Sequence, residues 1–136
     1  MTLVTQYNEF ACFAACLESI KRDWGDCCFR HKKFVESNLE IFNGGNKHEG
    51  LAQDPIEACR RAGLDAEWFS GSISYNPDQT AVLLYIWIGN QESEKHVVRL
   101  LRPFPDKLKV MNPVESNCYD CISPEWVKAM LKVTRP

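Results

Sequence analysis

The sequence predicts an α+β domain with helices first and a sheet second. Up to Gly63 the apolar residues recur at helical spacing. After Gly63 they fall in short continuous or alternating runs separated by polar turns. Helices and strands that are segregated along a chain, rather than alternating, argue for α+β. The 136 residues, 45% hydrophobic and 25% charged, suit one core and hence a single domain over 1–136. No repeat, low-complexity segment or linker interrupts them.

The first helix follows from Phe13, Leu17, Ile20 and Trp24, which share one helical face, and Gly25 ends it. A second helix is predicted over "HKKFVESNLEIF", with Val35, Leu39 and Phe42 on one side and "NGGN" as its stop. A third is announced by "QDPIEACRRAG". Asp54 suits the N-cap, Pro55 the first helical position, Glu57 a capping box and Gly63 the C-terminal cap.

The strands come next. "LDAEWFS" is a short one, and "TAVLLYIWIG" is a near-continuous apolar run expected at the centre of the sheet, covered on both faces. "GNQESE" is a turn and "KHVVRLLR" a strand. After the turn "RPFPDK", "KLKVMNP" alternates through Leu108 and Val110. "SPEWVKAMLKV" predicts a terminal helix, with Ser123 as cap, Pro124 at its first position and Trp126, Val127 and Met130 inside. Trp68, Tyr85, Trp87 and Trp126 are expected as packing residues, with a substrate groove as the other use for Trp87.

A net charge of -2 and the lack of a basic tract argue against nucleic acid or an anionic membrane as the main partner. The longest apolar run, "AVLLYIWI", is far short of the roughly 20 residues of a membrane span. The N-terminus does not read as a secretory signal. The expected location is therefore cytoplasmic, with export by a route independent of a signal peptide left open.

Seven cysteines, an odd number without a signal peptide, are expected mostly as reduced thiols. Cys118 and Cys121 have the spacing of a metal knuckle, but a zinc site needs two more ligands, and the adjacent Cys27 and Cys28 suit it poorly. No metal and no cofactor are expected. A Cys118–Cys121 disulfide is the alternative for an exported protein.

Four residues are candidates for chemistry, although Cys12 taken alone also fits a buried structural cysteine and His96 a satisfied edge-strand histidine. Cys12 sits where a loop turns into the first helix, beside the apolar stripe, and a helix N-terminus lowers a thiol pKa. Cys16, one turn further on, reads as packing. Of three histidines, His31 and His48 lie in polar, turn-rich surroundings and are expected to face solvent, whereas His96 opens an apolar strand and can project into a cleft as a base. Asn112 ends the next strand. If the two strands pair antiparallel through "RPFPD", Asn112 lies beside His96 and can hold its ring; otherwise Asn-Pro is simply a turn starter. Gln6, six residues before Cys12, can donate to a developing oxyanion, with the Cys12 backbone N–H as second donor.

The order Gln, Cys, His, Asn resembles that of papain-like cysteine peptidases. More closely, Gln6, "CFAACL" from Cys12, "ACRRAGL", "HVV" from His96 and "NP" at Asn112 resemble the bacteriocin-processing peptidase domains of ABC transporters, over approximately Val4 to Val133. The resemblance implies a papain-like fold. It implies Cys12 as nucleophile, His96 as general base and acid, Asn112 as orienter and Gln6 as oxyanion donor.

The chain departs from that pattern in three ways. Phe13 stands where those domains have glycine, which points to a reshaped or restricted cleft. Asn112 replaces their aspartate, and the 136 residues themselves contain no transporter segment. The expected function is a cysteine hydrolase acting on a peptide or protein amide bond. The alternatives are a protein glutamine deamidase or acyltransferase using the same residues, such as a bacterial effector, and a degenerate peptide-binding module.

Overall fold

The computed structural model describes residues 2–7, 11–45, 54–71, 76–87, 95–114 and 119–136. Among the described residues, three α-helices, α1 (Cys12–Asp23), α2 (His31–Glu36) and α3 (Pro55–Arg61), precede the strands, with a 3-10 helix at Leu39–Gly45 between α2 and α3. The strands are β1 (Asp65–Phe69), β2 (Thr80–Trp87), β3 (Lys95–Pro103), β4 (Leu108–Met111), β5 (Tyr119–Ile122) and β6 (Val127–Thr134). They form one sheet in the order β1-β6-β2-β3-β4-β5, with every pairing antiparallel.

The helix ends follow local chemistry. Gly25 (φ 99°) and Gly63 (φ 80°) take the left-handed conformation that closes α1 and α3. The Asp54 side chain accepts the Glu57 N–H at 3.1 Å. The reciprocal half of the capping box does not form, because the Glu57 carboxylate instead binds Arg60 and Arg61. The second helix is shorter than its pattern suggests: α2 stops at Glu36, and the chain tightens to 3-10 geometry from Leu39. Val35 and Phe42 are buried, but Leu39 is 44% exposed.

The terminal segment corrects the sequence reading. Ser123-Pro124 starts only a 3-10 turn (Pro124–Trp126), and the expected helix is strand β6. Val127, Ala129, Leu131 and Val133 also fit a period of two. Leu131 and Val133 are fully buried between β1 and β2, so the ladder and burial override a helical reading of the same residues.

The β2 strand is central, as expected, and its two faces join two cores. Ala81 and Leu83 pack with α1 and α3 residues, including Phe13, Leu17, Ile20 and Cys59. Val82, Leu84 and Ile86 join Val98, Leu100, Val110 and Ile122 on the other face, with Phe69, Trp126 and Met130 packed against them. Phe13, Leu17 and Ile20 are fully buried, each contributing about 1.5–3 kcal/mol of apolar burial. Trp68 departs from the packing expectation. On edge strand β1 it is 46% exposed, and its ring meets Tyr85 at 5.1 Å. Among the described residues, no helix is long and apolar enough to cross a membrane.

Candidate active site

Three elements converge at one end of the sheet: the start of α1, the start of β3 and the end of β4. Cys12 is the first residue of α1, and Ala11 caps that helix without a side-chain hydrogen bond. No cap side chain therefore takes the first-turn N–H groups, which remain able to face an anion. Helix α1 packs on β3 and α2, and Cys12 is buried. The β3–β4 ladder ends at Arg99↔Met111, which leaves Val97 beyond the end of β4. The Val97 backbone meets the Cys12 sulfur there, one residue from His96.

His96 and Asn112 lie side by side, as the strand pairing predicts. Extending the Arg99↔Met111 register sets Asn112 opposite Val98, and His96 is its diagonal neighbour on the same face. The His96 Nε2 to Asn112 Oδ1 distance is 2.8 Å. The same Oδ1 accepts the Val114 backbone N–H at 3.2 Å. A backbone N–H can only donate, so it fixes that amide atom as oxygen, and His96 Nε2 must then carry its proton toward it. In the neutral ring this leaves Nδ1 as the basic nitrogen.

Gln6 is tied to the same end. Its backbone N–H donates to the Pro113 carbonyl at 2.8 Å, one residue after Asn112. The structure thus brings the Gln6, Cys12, His96 and Asn112 segments together.

The electrostatics differ from the sequence expectation. Burial pushes the Cys12 thiol up, although backbone N–H groups of Val97, Phe13 and Cys12 itself pull the other way. Burial also pushes the His96 imidazole down, against the opposing effect of Asn112. Burial outweighs those hydrogen bonds in both groups, which favours the neutral thiol and the neutral imidazole. Cys59 offers a contrast: burial alone pushes it up to about 12. Its thiol is inert packing, whereas backbone donors already face the Cys12 sulfur. Cys16 is packing as expected, fully buried with its Sγ 3.9 Å from the Val97 carbonyl.

Two residues corrected or missed by the sequence reading flank this site. His31 does not face solvent; it is 6% exposed. Its Nδ1 lies 3.0 Å from Oε1 of Glu18, which also accepts the His31 backbone N–H at 2.8 Å. Glu18 stands beside the apolar stripe of α1, and its burial arises only when α2 packs there, so no local pattern signals the pair. Phe13 does not occupy a cleft. It is fully buried, with its ring 6.4 Å from that of Phe42. Trp87 is half-buried under the Lys128 ammonium, 4.9 Å from its ring centroid. His48 and Cys118 lie outside the described residues.

Comparison with known proteins agrees with this architecture. The peptidase domain of Streptococcus ComA, a bi-functional ABC transporter involved in a quorum sensing pathway, superposes with a TM-score of 0.73. The two are 16% identical, and the match covers 98% of each chain. A double glycine motif protease from an AMS/PCAT transporter, solved with its leader peptide, gives a TM-score of 0.62 at 13% identity over 99% of this chain and 91% of that one. A protein described as a C39-like peptidase, from Bacillus anthracis, gives 0.61 at 12% identity over 99% and 94%. No protein-family model matches the chain, and no curated protein matches it in sequence. The fold is thus α+β and papain-like, the fold of transporter-type peptidase domains.

Proposed function

We propose that the protein is a cysteine peptidase that cleaves a peptide or protein amide bond through a thioester. The observation that carries this reading is the His96–Asn112 pair, whose hydrogen bonding leaves Nδ1 as base beside the backbone that meets the Cys12 sulfur. The fold shared with peptidase domains supports it.

In the proposed reaction, His96 Nδ1 takes the Cys12 proton as the sulfur attacks the carbonyl carbon. Asn112 holds the imidazolium through Nε2–H. The oxyanion receives the Cys12 backbone N–H and the Gln6 side-chain amide. His96 then gives the proton from Nδ1 to the departing amine nitrogen, and the C–N bond breaks to leave a thioester. Water, deprotonated by His96, attacks that thioester. The C–S bond breaks, the His96 proton returns to sulfur, and the released carboxylic acid loses its own proton to water. Burial favours the neutral form of each group, so the proposed proton transfer is coupled to attack on the carbonyl.

Internally quenched peptides, one carrying Gly-Gly before the scissile bond, test the reading. The expected result is new peptide N-termini, lost in Cys12→Ala. Ammonia release from glutamine-containing protein without chain cleavage assigns deamidation instead, and no turnover of either kind contradicts the enzyme reading.

A further inference from the structure

We propose that His31 and Glu18 are positioning residues for Gln6; this rests on the reading of Gln6 as oxyanion donor. A second buried histidine, His31, is held at both ring nitrogens. Glu18 Oε1 lies 3.0 Å from His31 Nδ1, and the Tyr7 backbone N–H donates to His31 Nε2 at 3.0 Å. Since Tyr7 N–H can only donate, Nε2 is bare and Nδ1 carries the proton that Glu18 accepts.

Glu18 stays ionised in this setting. Burial pushes its carboxyl up, but the His31 backbone N–H, the His31 ring and Arg22 together outweigh it and hold the carboxyl below its ordinary value. The Arg22 guanidinium is 3.1 Å from the other oxygen, Oε2. The pair is therefore a fixed acceptor that presents one ring lone pair to one backbone amide 24 residues away.

That amide belongs to the residue after Gln6. The Gln6 N–H goes to Pro113, beside Asn112, and the Tyr7 N–H goes to His31, at the α1–α2 junction. Consecutive amides bonded to separate elements hold the Gln6 Cα between the orienter segment and the start of α2, which Glu18 ties in turn to α1. The Tyr7 ring adds a contact with the His31 ring at a centroid distance of 5.3 Å. An oxyanion donor acts only when it is aimed at the place where charge develops, and a displacement of about 1 Å can cost about 100-fold in rate. His31 and Glu18 touch no substrate in this scheme; they act through Gln6.

A double-mutant cycle on the full chain tests this, read as kcat and KM on the quenched peptide. His31→Ala is expected to lower kcat about tenfold to 100-fold with KM little changed. In a Gln6→Ala background the same change is expected to cost almost nothing further. His31→Gln, whose amide oxygen can accept the Tyr7 N–H, is expected to recover part of kcat, and it serves as the test variant if His31→Ala does not fold. Additive losses for His31 and Gln6, or an effect confined to KM, overturn the proposal while leaving the peptidase reading in place. Absence of Cys12-dependent cleavage in the unsubstituted protein overturns both.

Discussion

The Asn112 side-chain oxygen receives two N–H groups, from His96 Nε2 at 2.8 Å and from the Val114 backbone at 3.2 Å. This shared acceptor decides which imidazole nitrogen is basic. Removing it in Asn112→Ala is expected to lower kcat/KM about tenfold to 100-fold, the equivalent of about 1–3 kcal/mol for a lost buried hydrogen bond. Asn112→Asp keeps both acceptor contacts and adds charge that favours the imidazolium. The acid limb of the pH–rate profile is then expected to move to higher pH, because the base must be unprotonated to take the thiol proton. Steady-state kinetics across pH check both.

His96 also links stability to pH. Its folded pKa is depressed, chiefly by burial, so the neutral ring is the form the fold prefers. The unfolded chain binds the proton more readily, and stability is therefore present above the ordinary histidine value and lost as pH falls through it. Melting temperature is expected to fall from about pH 7 to about pH 5, and to fall less in His96→Gln.

Phe13, the residue expected to reshape the cleft, belongs to the core instead. Phe13→Ala is expected to cost about 3–5 kcal/mol in denaturant unfolding, and Phe13→Leu much less. Where the leucine variant folds, its KM is expected to match that of the unsubstituted protein, since the ring is fully buried.

Arg99 is a buried cation on β3. Its Nη1 binds Ser19 Oγ at 2.7 Å and Asp23 Oδ2 at 2.5 Å, while Asp23 Oδ1 accepts the Thr2 N–H. Arg99→Met strips one partner from this cluster and is expected to cost about 3–5 kcal/mol. Combining it with Asp23→Leu is expected to recover part of that loss, as denaturant midpoints can show.

The parts of the fold legible in the sequence were those whose local signals agree with their surroundings. Gly25 and Gly63 mark turns that require positive φ, Asp54-Pro55 starts α3, and the apolar run of β2 is central because both its faces are buried. The His96–Asn112 neighbourhood was legible because a short turn between two strands dictates an antiparallel pair. The β6 strand was missed because Ser-Pro mimics a helix start and because its pairing partners, β1 and β2, lie more than 40 residues earlier in the chain. The environment of His31 was missed for a related reason. Its partners Glu18 and Tyr7 are brought to it by tertiary packing, and a polar local sequence says nothing of that. The thiol pKa was misjudged because the helix terminus is visible in a sequence while the depth of burial is not.

The measurement closest to the central claim is reaction of the protein with a peptidyl epoxide near neutral pH, followed by mass mapping of the adduct. Thiolate attack opens the ring only as the leaving oxygen gains a proton, so the probe reports a sulfur and a proton donor acting together. The account predicts a single adduct on Cys12, absent in Cys12→Ser and in His96→Ala, with the exposed thiols of Cys27, Cys28 and Cys121 unmodified. An adduct on those exposed thiols with Cys12 untouched, or labelling of Cys12 that is unaffected by His96→Ala, contradicts it.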